Sequence, residues 1–325
     1  MKLPSEVIPK FIISLDKNKE RQDYLKKEVY PKLTNYFKCA AFDAELDDAN
    51  EILKDNNIFL TDSFYDKCNE GQLGCFLSHF QLWKYIIKSN IDIAVVLEDD
   101  VKIYNNFNKN IDTIYENLPV KFDYVHLFIH PDKQNIQYLD GKDGDIIPAE
   151  DNFGTVAYIV SLRGAKRLVK LTELLKIQAP VDRQINFYIQ HNFIKAFMIK
   201  KPFLLTQGEI MPNRAIYENS FKSTIWYSKK LKDAKKVKDR ASWSNFRSKY
   251  SETDVMRAYA LQVAIATLSK VYKSVDPEAR LDIFNKVLIK FNILISLASL
   301  IIVTISPNSK SLNDKKSFLS FVIMG

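Results

Sequence analysis

Glycine, histidine and cysteine are scarce in this chain of 325 residues, which holds eight, four and three of them respectively. With only eleven prolines as well, the turn-forming residues are too few for a loop-dominated all-β architecture. The cysteines, Cys39, Cys68 and Cys75, are odd in number and lack Cys-x-x-Cys spacing. That pattern argues against a disulfide framework and a zinc site, and for a reducing compartment. No glycine-rich loop follows any strand-like run, so neither a P-loop nor a dinucleotide fingerprint is supported. The N-terminus lacks the apolar core of a signal peptide, so the body of the protein is expected in the cytoplasm. Repeats and low-complexity tracts are also missing.

What remains is the composition of a folded protein, 46% hydrophobic and 26% charged. The length suits one large or two ordinary domains. The stretch that organises the rest is Ile93 to Val101, Ile-Ala-Val-Val-Leu-Glu-Asp-Asp-Val. Its apolar run is β-branched and too short for a helix, so it reads as a buried strand. The strand delivers three carboxylates in a row, Glu98, Asp99 and Asp100. Alternation along an extended backbone places Glu98 and Asp100 on one face and Asp99 on the other. Adjacent acids repel unless a cation sits among them, and hard oxygen ligands suit Mg2+ or Mn2+ bridging to substrate phosphates. A solvated acidic turn is the plain alternative.

Pro9 to Leu15 reads as the first strand, with Asp16 as helix N-cap and Lys17 to Lys27 as the helix. A strand feeding a helix is where α/β proteins hold phosphates, and Arg21 lies one turn in. Tyr36 to Phe42 is strand-like and ends at Asp43, whereas Glu45 to Asp66 has no clear pattern. From Leu73 to Lys88 the apolar residues keep helical spacing, with His79 and Trp83 on a neighbouring face. His79 is either a core histidine or a site residue. Asp123 to Phe128 and Thr155 to Val160 are strand-like, Pro131 to Asp151 is a turn-rich insert, and Ser161 can cap a helix. Pro180-Val-Asp182 opens another helix, and Lys195 to Ile199 is a last strand. This alternation predicts an α/β fold with a mainly parallel sheet flanked by helices, over a domain spanning residues 1–220.

Residues 221–325 form a second region. Between Lys222 and Lys249 ten basic residues face two acidic ones, which equals the net charge of +8 carried by the whole chain. Two helical patterns follow, about Glu252 to Val271 and Pro277 to Ile305, and Phe291 to Ile305 carries no charge. Fifteen residues fall short of the roughly 20 that span a bilayer. A basic segment plus an apolar helix predicts peripheral attachment to an anionic membrane surface, against the alternative of a solvated face and a bundle helix.

In this order the motifs resemble glycosyltransferase family 25, the bacterial lipooligosaccharide galactosyltransferases and their relatives. The resemblance is carried by Phe-Ile-Ile-Ser-Leu-Asp16-Lys-Asn-Lys-Glu-Arg21, Gly71-Gln-Leu-Gly-Cys-Phe-Leu-Ser78-His79 with Trp83, Val-Val-Leu-Glu98-Asp99-Asp100, and Gly154-Thr-Val-Ala-Tyr158-Ile-Val-Ser161-Leu-Arg-Gly164. It covers roughly residues 9 to 210. It implies a GT-A type (Rossmann-like) fold, a UDP-sugar donor (UDP-galactose foremost), a lipooligosaccharide or glycan acceptor, and inversion to a β-linkage. It also implies Mn2+ (or Mg2+) on the donor diphosphate, held by Glu98 and Asp100. Donor binding falls to Asp16, Arg21, Asp43, Ser78, His79, Glu98 and Asp99. One departure is Ala44, where the family often shows a small glycine-containing turn.

Single-displacement inversion needs a base and no protein nucleophile. With the acidic cluster committed to a cation, Asp182 is the best remaining acid for the acceptor's proton, unless it only caps its helix. On this reading the enzyme works at the inner face of the bacterial inner membrane. Two other classes stay open. One is a nucleic-acid binder using the basic-aromatic segment 222–250, although no nucleic acid is expected on the leading reading. The other is a metal-dependent phosphohydrolase, which normally needs more converging acids and histidines.

Overall fold

Among the described residues of the computed structural model, nine short strands and six α-helices follow one another. The structure describes residues 6–200 apart from 45–46, 62–63, 66–67, 130–141, 143 and 151, together with the backbone of 205–207. The basic segment, the two helical patterns after it and the domain limit at 220 lie outside these residues.

Lys10–Ser14 forms β1, buried along its whole length. Asn18, and not Asp16, caps α1 (Lys19–Tyr24): its side chain accepts from the Arg21 backbone N–H at 3.2 Å. Asp16 instead points outward to Lys38 at 2.5 Å. A wide turn, Leu25–Val29, and a tight one, Tyr30–Lys32 with Pro31 in its first turn, complete this helical stretch, which ends at the extended Leu33. Strand β2 (Tyr36–Ala40) is an exposed edge. The unassigned stretch holds α2 (Ala49–Asp55), capped by Asp48.

Helix α3 (Glu70–Lys88) opens on a capping box, in which Asn69 accepts from the Gln72 N–H and the Gln72 side chain accepts from the Asn69 N–H. Next come β3 (Ile93–Glu98), β4 (Val101–Ile103), α4 (Phe107–Asn117) and β5 (Tyr124–His126). Inside the turn-rich insert, Ile146–Pro148 is in fact a strand, β6. Strand β7 (Ala157–Ser161) runs straight into α5 (Leu162–Leu175), whose cap is Ser161 accepting from Gly164 N–H at 3.0 Å. Helix α6 (Val181–Gln190), β8 (Ala196–Ile199) and β9 (Leu205–Gln207) end the described chain.

Seven strands make one sheet in the order β2-β1-β3-β7-β5-β8-β6, and β4 pairs with β9 beside it. The sheet is mixed, which corrects the mainly parallel expectation. Strands β2, β1 and β3 run parallel, while β7 is antiparallel to both β3 and β5, and β6 is antiparallel to β8. An apolar run buried on both faces looks the same whichever way it runs, so direction was not readable from pattern. One face packs Ile12, Val95 and Leu97 with Leu25, Val29 and the α4 residues Phe107, Ile111 and Ile114. Helix α3 packs against α5 and α6, burying Phe76, Leu77, Phe80 and Trp83. No helix among the described residues is long and apolar enough to cross a membrane.

Candidate active site

The three parallel strands β2, β1 and β3 end at one edge, and a cavity of about 360 Å³ opens there. Its walls come from Ser14 at the end of β1, Phe42 and Asp43 after β2, and Glu98 and Asp99 at the end of β3, with α3 closing one side. Chain order makes this a switch point, since β1 has β2 on one side and β3 on the other. Crevices beyond the carboxyl ends of strands at such a point are where open α/β sheets bind ligands.

The acid triplet does not alternate as an extended strand. β3 stops at Glu98, and Asp99 and Asp100 turn, with both of these acids beside Arg21. Asp99 accepts from the Ser14 hydroxyl at 2.7 Å and is hydrogen-bonded by the Arg21 guanidinium. The same guanidinium lies 3.7 Å from Asp100. All three of these charged side chains are buried, so the protein supplies a cation of its own to two of the acids. Buried pairing of this kind is costly to break, at roughly 3–5 kcal/mol.

Glu98 faces the other way. Its Oε1 accepts from the Thr155 hydroxyl at 2.6 Å and contacts His79 Nε2 at 3.2 Å. Trp83 Nε1 donates to the Tyr158 hydroxyl at 2.9 Å, and that hydroxyl is also 2.9 Å from His79 Nδ1. An ionised carboxylate only accepts, so the ring nitrogen facing Glu98 carries a proton, and in the neutral ring Nδ1 then accepts from the Tyr158 hydroxyl. Burial works to raise the Glu98 pKa, but His79, the Thr155 hydroxyl and Arg21 outweigh it and hold the carboxyl below its ordinary value. Burial, and then the charges of Glu98, Asp182 and Asp100, push the Cys75 thiol well up, so it is neutral.

The Gly-x-x-Gly-Cys-x-x-Ser-His motif now has a physical reading. Ser78 accepts from the Phe42 N–H at 2.8 Å and donates to the Gly74 carbonyl at 2.7 Å. A Cβ on Gly74 would sit 2.9 Å from the Phe42 carbonyl oxygen. Gly74 and Ser78 therefore clamp the Phe42–Asp43 loop to α3. Cys75 and His79, one residue further round, line the cavity. Ser78 reaches the cavity wall with its hydroxyl spent on that clamp.

The structure thus gathers Arg21, Asp43, Ser78, His79, Glu98 and Asp99 on one cavity. Asp43 is paired there with Lys17 at 2.9 Å. Asp16 and Asp100 are not among its lining residues, and Asp100 is buried beside Arg21. Asp182 is half-buried at the start of α6, accepting from Gly154 N–H at 3.0 Å and Arg183 N–H at 2.8 Å. Missed from the sequence were Lys17, Cys75 and Thr155. The spacing of Cys75 and His79, four apart on one helix, was the signal available.

For a hard cation the donor set fits in type. Glu98 and Asp100 bring carboxylate oxygens, and both polar contacts of Glu98 fall on one of its two oxygens. Among the described residues, the Cys, His and acidic side chains that converge as a group of three are Cys75, His79 and Glu98, with one ligand atom from each within 4.8 Å of the others. The phosphohydrolase alternative asks for several acids in such a group, and this one holds a single acid.

Acids, a buried arginine and a histidine thus line a cavity at a switch point, the place where open α/β sheets bind ligands. The family described as glycosyltransferase family 25 (LPS biosynthesis protein) matches residues 7–185, and this chain belongs to it. Human procollagen galactosyltransferase 2 is 24% identical over 237 residues, 66% of this chain and 37% of that protein. Procollagen galactosyltransferase 1-B of Xenopus laevis is also 24% identical, over 66% of this chain and 38% of its own. The mouse inactive glycosyltransferase 25 family member 3 is 26% identical over 53% of this chain and 30% of its own. The chain therefore spans under two fifths of the length of these relatives, and one of them is named inactive. A solved glycosyltransferase involved in glycosylation of the major capsid of PBCV-1 overlays with a TM-score of 0.38 at 13% identity, covering 64% of this chain and 94% of that one.

Proposed function

We propose that this chain is an inverting, GT-A type glycosyltransferase that moves a hexose, galactose first, from a UDP-sugar to a glycan acceptor such as a lipooligosaccharide core sugar. The observation that carries the reading is the cavity at the ends of β1, β2 and β3, lined by Lys17, Arg21, Glu98 and Asp99 and lying inside the family's matched residues. Its volume falls in the range of ligand sites. Lys17 and Arg21 meet the diphosphate charge. Glu98 and Asp100 would hold Mn2+ or Mg2+, which when bound stabilises the charge on the leaving diphosphate. His79, with Nε2 facing Glu98, keeps that carboxylate ionised and oriented. Asp182 takes the proton of the acceptor hydroxyl, and its negative charge already acts across to Cys75. The anionic membrane surface rests on residues 221–325 alone.

The test is UDP release from a panel of UDP-sugars with Mn2+, with and without lipooligosaccharide. Acceptor-dependent release from one UDP-hexose supports the reading, and no release from any sinks it. Asp182→Asn keeps an acceptor oxygen for Gly154, so melting stays normal while turnover falls 10²-fold or more if Asp182 is the base. Retention of more than about a tenth of turnover makes it a helix-start residue only.

A further inference from the structure

We propose that Cys75, His79 and Glu98 form a binding site for a thiophilic divalent cation of the Zn2+ class, distinct in chemistry from the hard-ion position at the acid triplet. Cys75 and His79 are four apart on α3 and so share a face. Glu98 reaches them from the end of β3, and the three ligand atoms already lie within 4.8 Å of one another. Bonds of about 2.0–2.3 Å in a tetrahedral site bring ligands to roughly 3.3–3.8 Å apart, so about 1 Å of closure is required. The His79 to Glu98 contact, at 3.2 Å, needs none.

The ligand types select the ion. A thiol and an imidazole with one carboxylate suit Zn2+ and its analogues, whereas Mn2+ and Mg2+ prefer oxygen throughout. Three protein ligands with the fourth position facing a cavity is the pattern of an open zinc site. All three residues line the cavity, so that position faces the open space. The surroundings also fit. Tyr158 stands against His79 Nδ1 and Thr155 against Glu98 Oε1, the outer contacts that orient metal ligands. Asp100 and Asp182 add negative charge at the Cys75 sulfur, which favours a cation there. Binding displaces the Cys75 thiol proton to solvent and leaves the imidazole proton on Nδ1, with the Tyr158 hydroxyl turning from donor to acceptor. One proton is released per ion, and no electron moves.

Because Glu98 serves both positions, a bound soft ion excludes the hard one and blocks the donor. That consequence rests on the transferase reading, whereas the site itself does not. The experiment is a Co2+ titration of the full-length protein, followed by absorption. The expected result is saturation at one ion per chain, with intense visible bands of a four-coordinate ion and a near-ultraviolet thiolate-to-cobalt band, all displaced by Zn2+. Cys75→Ser should remove the near-ultraviolet band. If that variant fails to fold, a Cys39→Ser/Cys68→Ser double variant that keeps the band assigns it to Cys75 equally well. A wild-type spectrum without the thiolate band, or a band that survives Cys75→Ser, overturns the proposal. Neither outcome bears on UDP release, so the two readings fail separately.

Discussion

Among the described residues, buried carboxylates pair with arginines at two centres, one around Asp123 and one around Asp99, and Asp99 lines the cavity at the strand ends while Asp123 does not. Asp123, fully buried before β5, accepts from Arg163 Nε and Arg167 Nη1, each at 2.8 Å, and from the Lys195 backbone N–H at 2.7 Å. Its backbone carbonyl is so close to α5 that a Cβ on Gly164 would lie 1.9 Å away. Asp99 is also buried and also paired with an arginine, yet it and Glu98 line open space. Burial and ion pairing therefore do not distinguish the two. Access does, and it divides the motif Gly154 to Gly164 between them. Thr155 and Tyr158 support the cavity, while Ser161, Arg163 and Gly164 tie α5 to Asp123.

Emptying each centre in turn separates a structural carboxylate from a site carboxylate. Asp123→Ala strands two arginines, so denaturant unfolding should show a loss of about 3–5 kcal/mol. Glu98→Gln keeps an acceptor oxygen at a side chain that is 19% exposed and should cost no more than about 1 kcal/mol. Equal losses would mean that both centres are structural.

Glycines give a second pair. Gly164→Ala forces backbone apart and should destabilise by roughly 1–3 kcal/mol or more. Gly74→Ala meets a looser contact and should lose less stability, but it shifts the Phe42–Asp43 loop and weakens donor binding. Thermal melting and nucleotide titration on both variants would separate the effects.

At neutral pH the smallest effect belongs to His126, whose pKa burial lowers from the ordinary 6.5 to about 3. Between those values the unfolded chain holds the proton and the folded chain does not. Stability is therefore full above pH 6.5 and falls as pH drops towards 3, by at most about 1.4 kcal/mol per unit. His126→Gln should flatten that part of the melting-versus-pH curve.

Much of the first half was legible because its signals are local. Strand β1, strand β3 and the apolar stripe of α3 follow from periodicity alone. The cavity residues Arg21, His79 and Glu98 came from motifs placed at strand ends and on one helix. What was not legible depends on long-range geometry. The direction of β7 leaves no trace in its apolar pattern. The Asp16 cap gave way to Asn18 because the chain makes a further turn before the helix starts. The division of the acids between Arg21 and His79 required knowing that β3 ends at Glu98.

The central claim is that the cavity beside Glu98 binds the nucleotide-sugar. Its most direct test is calorimetric titration of UDP-galactose, with Mn2+ present, into the wild-type protein and Glu98→Gln. We predict saturable binding to the wild type and at least tenfold weaker binding to a variant that melts normally. Equal affinity in the two, or no binding of any UDP-sugar by the wild type, would contradict it.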